Sequence, residues 1–164
     1  VTSKDSHFSL PISNASSKEL DAQIHLFKYF NYLPLAMTAH IKYLNWDSEN
    51  IATFSPKIIK KIIRNVINFK GLIMTDDLMM KANIFDISKA VSYSNKANID
   101  IILDCSSDWN RYIKIINNFK ITKRFQNLAK IRSKKVKKRN LYIKSININN
   151  YHHLYNELIK LYGI

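Results

Sequence analysis

The sequence predicts an α/β fold, a parallel sheet of about three strands with covering helices, followed by C-terminal helices. Two observations predict it. Short apolar runs at 35–39, 71–75 and 99–103 alternate with amphipathic segments of helical period, the pattern of a parallel sheet under helical cover. Each run also ends in polar groups, namely His40, Asp76-Asp77 and Asp104, and parallel α/β folds carry their sites at the C-terminal ends of strands.

The elements follow in order. Residues 1–15 have no period and read as a loop containing Asp5-Ser6-His7 and Pro11. Ser16 with Glu19 forms a capping-box pair, which predicts a helix over 17–31 with Leu20, Ile24, Phe27 and Phe30 or Tyr29 on one face. Pro34 stops it, and Leu35-Ala36-Met37-Thr38-Ala39 suits a buried strand. Residues 41–54 read as loop. Ser55-Pro56 supplies an N-cap and a proline at the first helical position. Ile58, Ile59, Ile62, Ile63, Val66 and Ile67 then make the clearest amphipathic helix, with Ile58, Ile62 and Val66 expected to face the sheet. A second strand is expected over 71–75, a helix over 86–97, and a third strand over 99–103. Beyond residue 106 the pattern is helical. The expected domains are 1–106, a partial catalytic barrel, and 107–164, a basic and mostly helical region.

Composition limits the function classes. The chain is 46% hydrophobic, enough to bury a core, and no apolar run has the length of a membrane-spanning helix. The one cysteine, Cys105, excludes an internal disulfide framework and reads as a small buried apolar residue; a cytoplasmic location is expected. The net charge of +14 is uneven: residues 120–144 hold eleven Lys or Arg and no acid, and residues 1–119 are only +3. That stretch admits a basic module binding RNA or a membrane surface, but equally a solvated helix face. Val1 reads as a cut end, since no initiator Met or apolar leader precedes Asp5.

Several residues admit chemistry. A carboxylate of Asp76-Asp77 at a strand end can be a nucleophile, a base or a metal ligand, or only a helix cap; no second acidic cluster accompanies it, and no metal is expected. Asp5-Ser6-His7 sets a carboxylate two residues from an imidazole. An Asp accepting from one ring nitrogen fixes the tautomer and leaves the other nitrogen for proton transfer, yet such pairs are also ordinary loop residues. His40 either hydrogen-bonds a substrate or caps the rim of the sheet. Met79-Met80 lines a ligand or fills core. His152-His153 reads as a solvated helix end.

Asp5-Ser6-His7 with Leu10-Pro11, Met37-Thr38-Ala39-His40-Ile41-x-Tyr43, Ala52-Thr53-Phe54-Ser55-Pro56, Phe69-x-Gly71-Leu72-Ile73-Met74-Thr75-Asp76-Asp77-Leu78-x-Met80 and Asn98-x-Asp100-Ile101-Ile102-Leu103 occur in this order. Together they resemble the bacterial NagZ-type β-N-acetylhexosaminidases of glycoside hydrolase family 3, over residues 4–106. The resemblance implies a (β/α)8 TIM-like barrel, of which this chain is expected to be the C-terminal portion. It implies retaining hydrolysis of terminal β-N-acetylglucosamine from peptidoglycan-derived muropeptides, in cell-wall recycling. Asp76 is then the nucleophile, His7 the acid/base, and Asp5 the group that orients His7; His40 and Met80 are substrate-binding. The implied partner is an N-acetylglucosamine-containing muropeptide or chitobiose-like glycoside, with no cofactor, no obligate nucleic acid and no membrane. The missing N-terminal half of the barrel is a further partner, and the fragment alone is expected to be inactive. The alternatives are a catalytically silent remnant, or the basic RNA- or membrane-surface-binding module.

Overall fold

The computed structural model describes residues 5–138, and side chains to residue 131. Contacts divide the chain into two compact units after Asn127. In chain order the elements are β1 (Ile12–Ser13), α1 (Ser17–Lys28), β2 (Leu35–Met37), β3 (Lys42–Tyr43), a 3-10 turn (Ala52–Phe54), a π-helix (Ile58–Val66), β4 (Leu72–Met74), α2 (Ile87–Ala97), α3 (Trp109–Asn118) and α4 (Lys123–Lys138). Residues 1–4 and 139–164, with His152-His153 and the end of the basic stretch, lie outside the described residues.

The predicted parallel pairing is present. Leu35, Ala36 and Met37 of β2 lie opposite Leu72, Ile73 and Met74 of β4, in parallel. The third expected strand shrinks to a single parallel bridge, Met74 to Ile101. Asp100 explains the shortening, because its side chain takes the Ile73 amide at 2.9 Å and replaces a ladder bond. A second parallel pair, β1 with β3, forms from segments expected to be loop. Ile12 and Lys42 are partners there, and the Lys42 and Leu44 amides donate to Pro11 and Ser13 carbonyls.

Local signals set the helix starts. Ser16 accepts from the Glu19 amide, and the Glu19 carboxylate accepts from the Ser16 amide at 2.8 Å. Ser55 Oγ accepts from the Ile58 amide and donates to Asp47 Oδ2. Asp86 caps α2 by accepting from the Lys89 amide, and Asn98 ends it in the left-handed conformation at φ 59°.

Three expectations about burial are corrected. In α1 only Leu20 and Ile24 are buried; Phe27 is exposed within the helix, and Phe30 is exposed beyond its end at Lys28. The π-helix bonds i to i+5, as in Ile67 N–H to Ile62 O at 2.9 Å. Its wider turn carries Val66 out to 44% exposure; Ile58 is buried as expected, and Ile59, Ile63 and Ile67 also pack inward. Strand β2 was expected to be buried, yet Leu35 and Met37 are exposed, since β4 covers one edge alone.

Two apolar clusters hold the unit together. Ile51, Phe54, Leu78, Ile87, Ala90 and Val91 form one, with Leu10 and Ile115 packed on it. Ile59, Phe69, Ile73, Ala97 and Ile99 form the other, beneath β4. Each fully buried large aliphatic contributes about 1.5–3 kcal/mol. Gly71 opens β4 at a close approach: a Cβ there would lie 2.4 Å from the Leu33 carbonyl oxygen.

Candidate active site

Because β2 and β4 run parallel, Thr38 and Thr75 leave the sheet at the same edge. The Thr38 amide donates to the Met74 carbonyl at 2.9 Å, and Thr75 donates to Ile101 at 3.0 Å. Thr75 Oγ1 also accepts from the Leu103 amide at 2.9 Å, so the Thr-Asp-Asp segment begins from a buried, doubly tied residue.

Asp76 and Asp77 then diverge in role. Asp77 Oδ1 accepts the Met79 and Cys105 amides, both at 3.0 Å, and its carbonyl accepts from Met80 at 3.1 Å. Its Oδ1 holds the two loops, and its Oδ2 makes no hydrogen bond among the described residues. Asp76 Oδ1 accepts only the neighbouring Asp77 amide at 2.9 Å, and its Oδ2 makes no hydrogen bond among the described residues. The pair differs in what Oδ1 holds: two amides from separate loop positions on Asp77, against the single adjacent amide on Asp76.

The Asp5-Ser6-His7 segment is a turn. The Phe8 and Ser9 amides donate to the Asp5 carbonyl, and the His7 amide donates to Asp5 Oδ1 at 2.8 Å. His7 Nδ1 lies 2.8 Å from the same Oδ1. A carboxylate only accepts, so Nδ1 carries the hydrogen and Nε2 is left for proton transfer. The His7 amide, and then its ring, holds the Asp5 carboxyl below the usual range. Both side chains are exposed, His7 at 70% and Asp5 at 55%. One bond ties this turn to the loop after Asp76: the Ala82 amide donates to the Ser6 carbonyl at 3.1 Å. The two candidate groups, 69 positions apart in sequence by their numbers 7 and 76, are thus carried on linked loops.

His40 is elsewhere than expected. Its ring is fully buried, stacked on Phe54 at 5.7 Å and 28°, and it presents no surface to a substrate. Its Nε2 lies 3.1 Å from the Asp77 carbonyl, so it donates there. Burial lowers its pKa, against the Asp77 carbonyl bond and the Asp76 and Asp77 charges, which act to raise it. Met80 is half-buried in the turn after Asp77. Cys105 is exposed, not buried, because its amide is drawn to Asp77 Oδ1 at the open edge.

Two ion-pair groups escaped the sequence reading. Arg111 grips Asp104 through Nε at 3.2 Å and a terminal nitrogen at 2.6 Å. Burial acts to raise the Asp104 carboxyl, but Arg111 and Ser106 outweigh it and hold the pKa low. Asp100 accepts from Ile73, Arg64, Arg124 and Thr122. Desolvation, then Arg124, depresses Arg64 to about 10 against the pull of Asp100. An acid inside an apolar run was the available signal, since a buried charge demands partners.

An apolar groove of about 450 Å³ runs between α1, β2 and the π-helix, lined by Ile24, Phe27, Ala36, Met37, Ile62 and Ile63 among others. None of Asp5, His7, Asp76 or Met80 borders it. Among the described residues no three His, Cys, Asp or Glu side chains are grouped as metal ligands, and no helix is long and apolar enough to cross a membrane.

Residues 1–137 match the glycosyl hydrolase family 3 N-terminal domain. The chain belongs to glycosyl hydrolase family 3. A beta-hexosaminidase of Neisseria gonorrhoeae is 36% identical over 107 residues, 62% of this chain and 29% of that protein. One from Haemophilus influenzae is 31% identical over 127 residues, 72% of this chain and 35% of its own length. A solved family 3 beta-N-acetylglucosaminidase from Paenibacillus sp. str. FPU-7 superposes with a TM-score of 0.66 at 25% identity, covering 71% of this chain and 23% of that one. The chain therefore spans about a third of the length of the curated relatives it matches.

The match also corrects the placement. The expectation was a C-terminal portion of the barrel; the matching model is that of the family's N-terminal domain, and the chain is a fragment of that domain. The reason is physical. Strand–helix units repeat around a parallel fold, so motif order locates these units relative to one another and not within the family's domain plan.

Proposed function

We propose that the chain carries the nucleophile and the acid/base of a retaining β-N-acetylhexosaminidase acting on N-acetylglucosamine-containing glycosides. The observation that carries this reading is the asymmetry of the aspartate pair: the Asp77 carboxylate ties two loop amides, Met79 and Cys105, through Oδ1, and the Asp76 carboxylate at the open strand edge accepts only the adjacent Asp77 amide. The printed names of the relatives, beta-hexosaminidase and beta-N-acetylglucosaminidase, support the substrate class.

In the first step an Asp76 oxygen attacks the anomeric carbon as its bond to the leaving oxygen breaks. The bonding pair goes to that oxygen, which takes the proton from His7 Nε2. In the second step His7 Nε2 takes a proton from water, the water oxygen bonds the anomeric carbon, and Asp76 leaves. Asp5 keeps His7 Nδ1 protonated, so Nε2 faces the reaction in both steps. The exposed His7 turn closes over the sugar to complete the site. Met80 lies against the sugar. The finer reading is muropeptide-derived glycosides in a cytoplasmic recycling pathway.

The test is a 2-deoxy-2-fluoro-type trapping sugar with an aryl leaving group, followed by peptide mapping. The expected label is on Asp76. A label on Asp77, or turnover with no adduct, overturns the nucleophile assignment; neither turnover nor adduct overturns the activity of this chain.

A further inference from the structure

His40 was expected to meet the substrate, and its surroundings rule that out. The ring is fully buried and stacked on Phe54. Its Nε2 donates to the Asp77 carbonyl at 3.1 Å, and Nδ1, also buried, has no hydrogen-bond partner. A carbonyl cannot donate, so the ring proton sits on Nε2 and Nδ1 is bare.

The turn that carries Asp76 has few anchors. The Asp77 carbonyl accepts Met80 N–H from its own turn, and Asp77 Oδ1 accepts Met79 and Cys105. Those donors come from residues 79–80 and from the loop after residue 103. His40 alone among these donors comes from the end of β2, the strand that neighbours β4. Thr38 is bonded to Met74 and to Thr53 Oγ1, so the segment bearing His40 is itself fixed.

We propose that His40 is a positioning residue, which fixes the Asp76-Asp77 turn by donating Nε2–H to the Asp77 carbonyl. This deepens the glycosidase reading and rests on it, because the group held in place is the proposed nucleophile. The carbonyl pins the residue immediately after Asp76, so the direction of the Asp76 side chain is set from β2. Packing alone would need only a flat ring against Phe54, and would be indifferent to the proton on Nε2.

Two substitutions separate these roles. His40→Phe keeps a ring for Phe54 and removes the donor. His40→Gln loses the ring, but its amide nitrogen stands at the same chain depth as imidazole Nε2 and can donate. The probe is amide hydrogen exchange in the full chain, read at Met79, Met80 and Cys105, with Ala90 in α2 as the reference. The Asp76 carboxyl carbon resonance is followed in parallel at one pH, and long-range nitrogen NMR reads the wild-type His40 tautomer. Positioning predicts that His40→Phe speeds exchange at Met79 and Met80 about tenfold while Ala90 stays unchanged. It also predicts a displaced Asp76 carboxyl carbon resonance at a fixed pH, with both effects largely restored in His40→Gln. Unchanged exchange in His40→Phe, or an equal rise at Ala90, overturns the proposal. So does a wild-type ring proton on Nδ1, which decides the matter even if a variant fails to fold. None of these readouts needs turnover, so absence of an Asp76 adduct with the trapping sugar counts against the glycosidase reading alone.

Discussion

Asp100→Ala should destabilise this chain as much as truncation of a buried aliphatic side chain of comparable size. The Asp100 side chain has no exposed surface, and its two oxygens take the Ile73 amide at 2.9 Å, Arg64 at 2.9 Å, Arg124 at 3.3 Å and the Thr122 hydroxyl. Removing one partner of a buried ion pair costs about 3–5 kcal/mol, mostly because the other charge stays behind unpaired. Here that charge is Arg64, 13% exposed. Arg64 keeps bonds to the Phe69 and Gly71 carbonyls at 2.9 and 2.7 Å, which partly compensate it. Arg124, at 31% exposure, turns to solvent and adds little. The Ile73 amide, in the middle of β4, loses its acceptor in a fully buried place. The expected loss is therefore near the low end, about 3 kcal/mol. The assay is urea unfolding of the full chain, followed by circular dichroism. With a slope of about 1–3 kcal/mol per molar urea, the midpoint should fall by about 1–3 M. Arg64→Met combined with Asp100→Ala should cost less than the two singles added, because the stranded charge is gone. A loss below about 1 kcal/mol for Asp100→Ala, or strict additivity in the double variant, would refute the reasoning.

Gly71→Ala should destabilise by about 1–3 kcal/mol, since the new methyl would meet the Leu33 carbonyl oxygen at 2.4 Å and Pro34 carbonyl carbon at 2.7 Å, both backbone; an unchanged melting temperature would show that the β2–β4 approach is looser. Acid should weaken the fold through Asp104, whose folded pKa lies below the ordinary 3.8. Its contribution is fully present above 3.8 and is lost as pH falls through the depressed value, so the urea midpoint should drop below about pH 4, and less so in Asp104→Asn. His40 acts in the same direction at higher pH: its folded pKa is below 6.5, so stability should decline as pH falls below 6.5, and His40→Gln should remove that slope in urea titrations. In an active preparation, His7→Ala should slow hydrolysis about 10²–10⁴-fold for a poor leaving group and much less for an activated aryl glycoside; equal losses for both would remove His7 as the acid.

Much of this protein is local, and local features are legible in a sequence. The Ser16/Glu19 capping box, the Ser55-Pro56 start and the Asp86 cap are set by residues within three positions of one another, and all form as their side chains dictate. The parallel pairing of residues 35–37 with 72–74 follows from two short apolar runs joined by a helix. Asp5 and His7, two residues apart, meet for the same reason. The rest depended on distant partners. The third strand was lost to a bond between Asp100 and Ile73, 27 residues apart. Val66 left the core because the helix winds wider than the period assumed, and Phe30 fell outside the helical face because α1 ended at Lys28. Which aspartate of the pair ties the loops was decided by amides at Met79 and Cys105, and the fate of His40 by a carbonyl 37 positions away. Residue type and spacing state what chemistry a side chain can do; whether it faces a substrate or is consumed in holding a loop is settled by hydrogen-bond donors and acceptors that only the folded chain brings within about 3 Å.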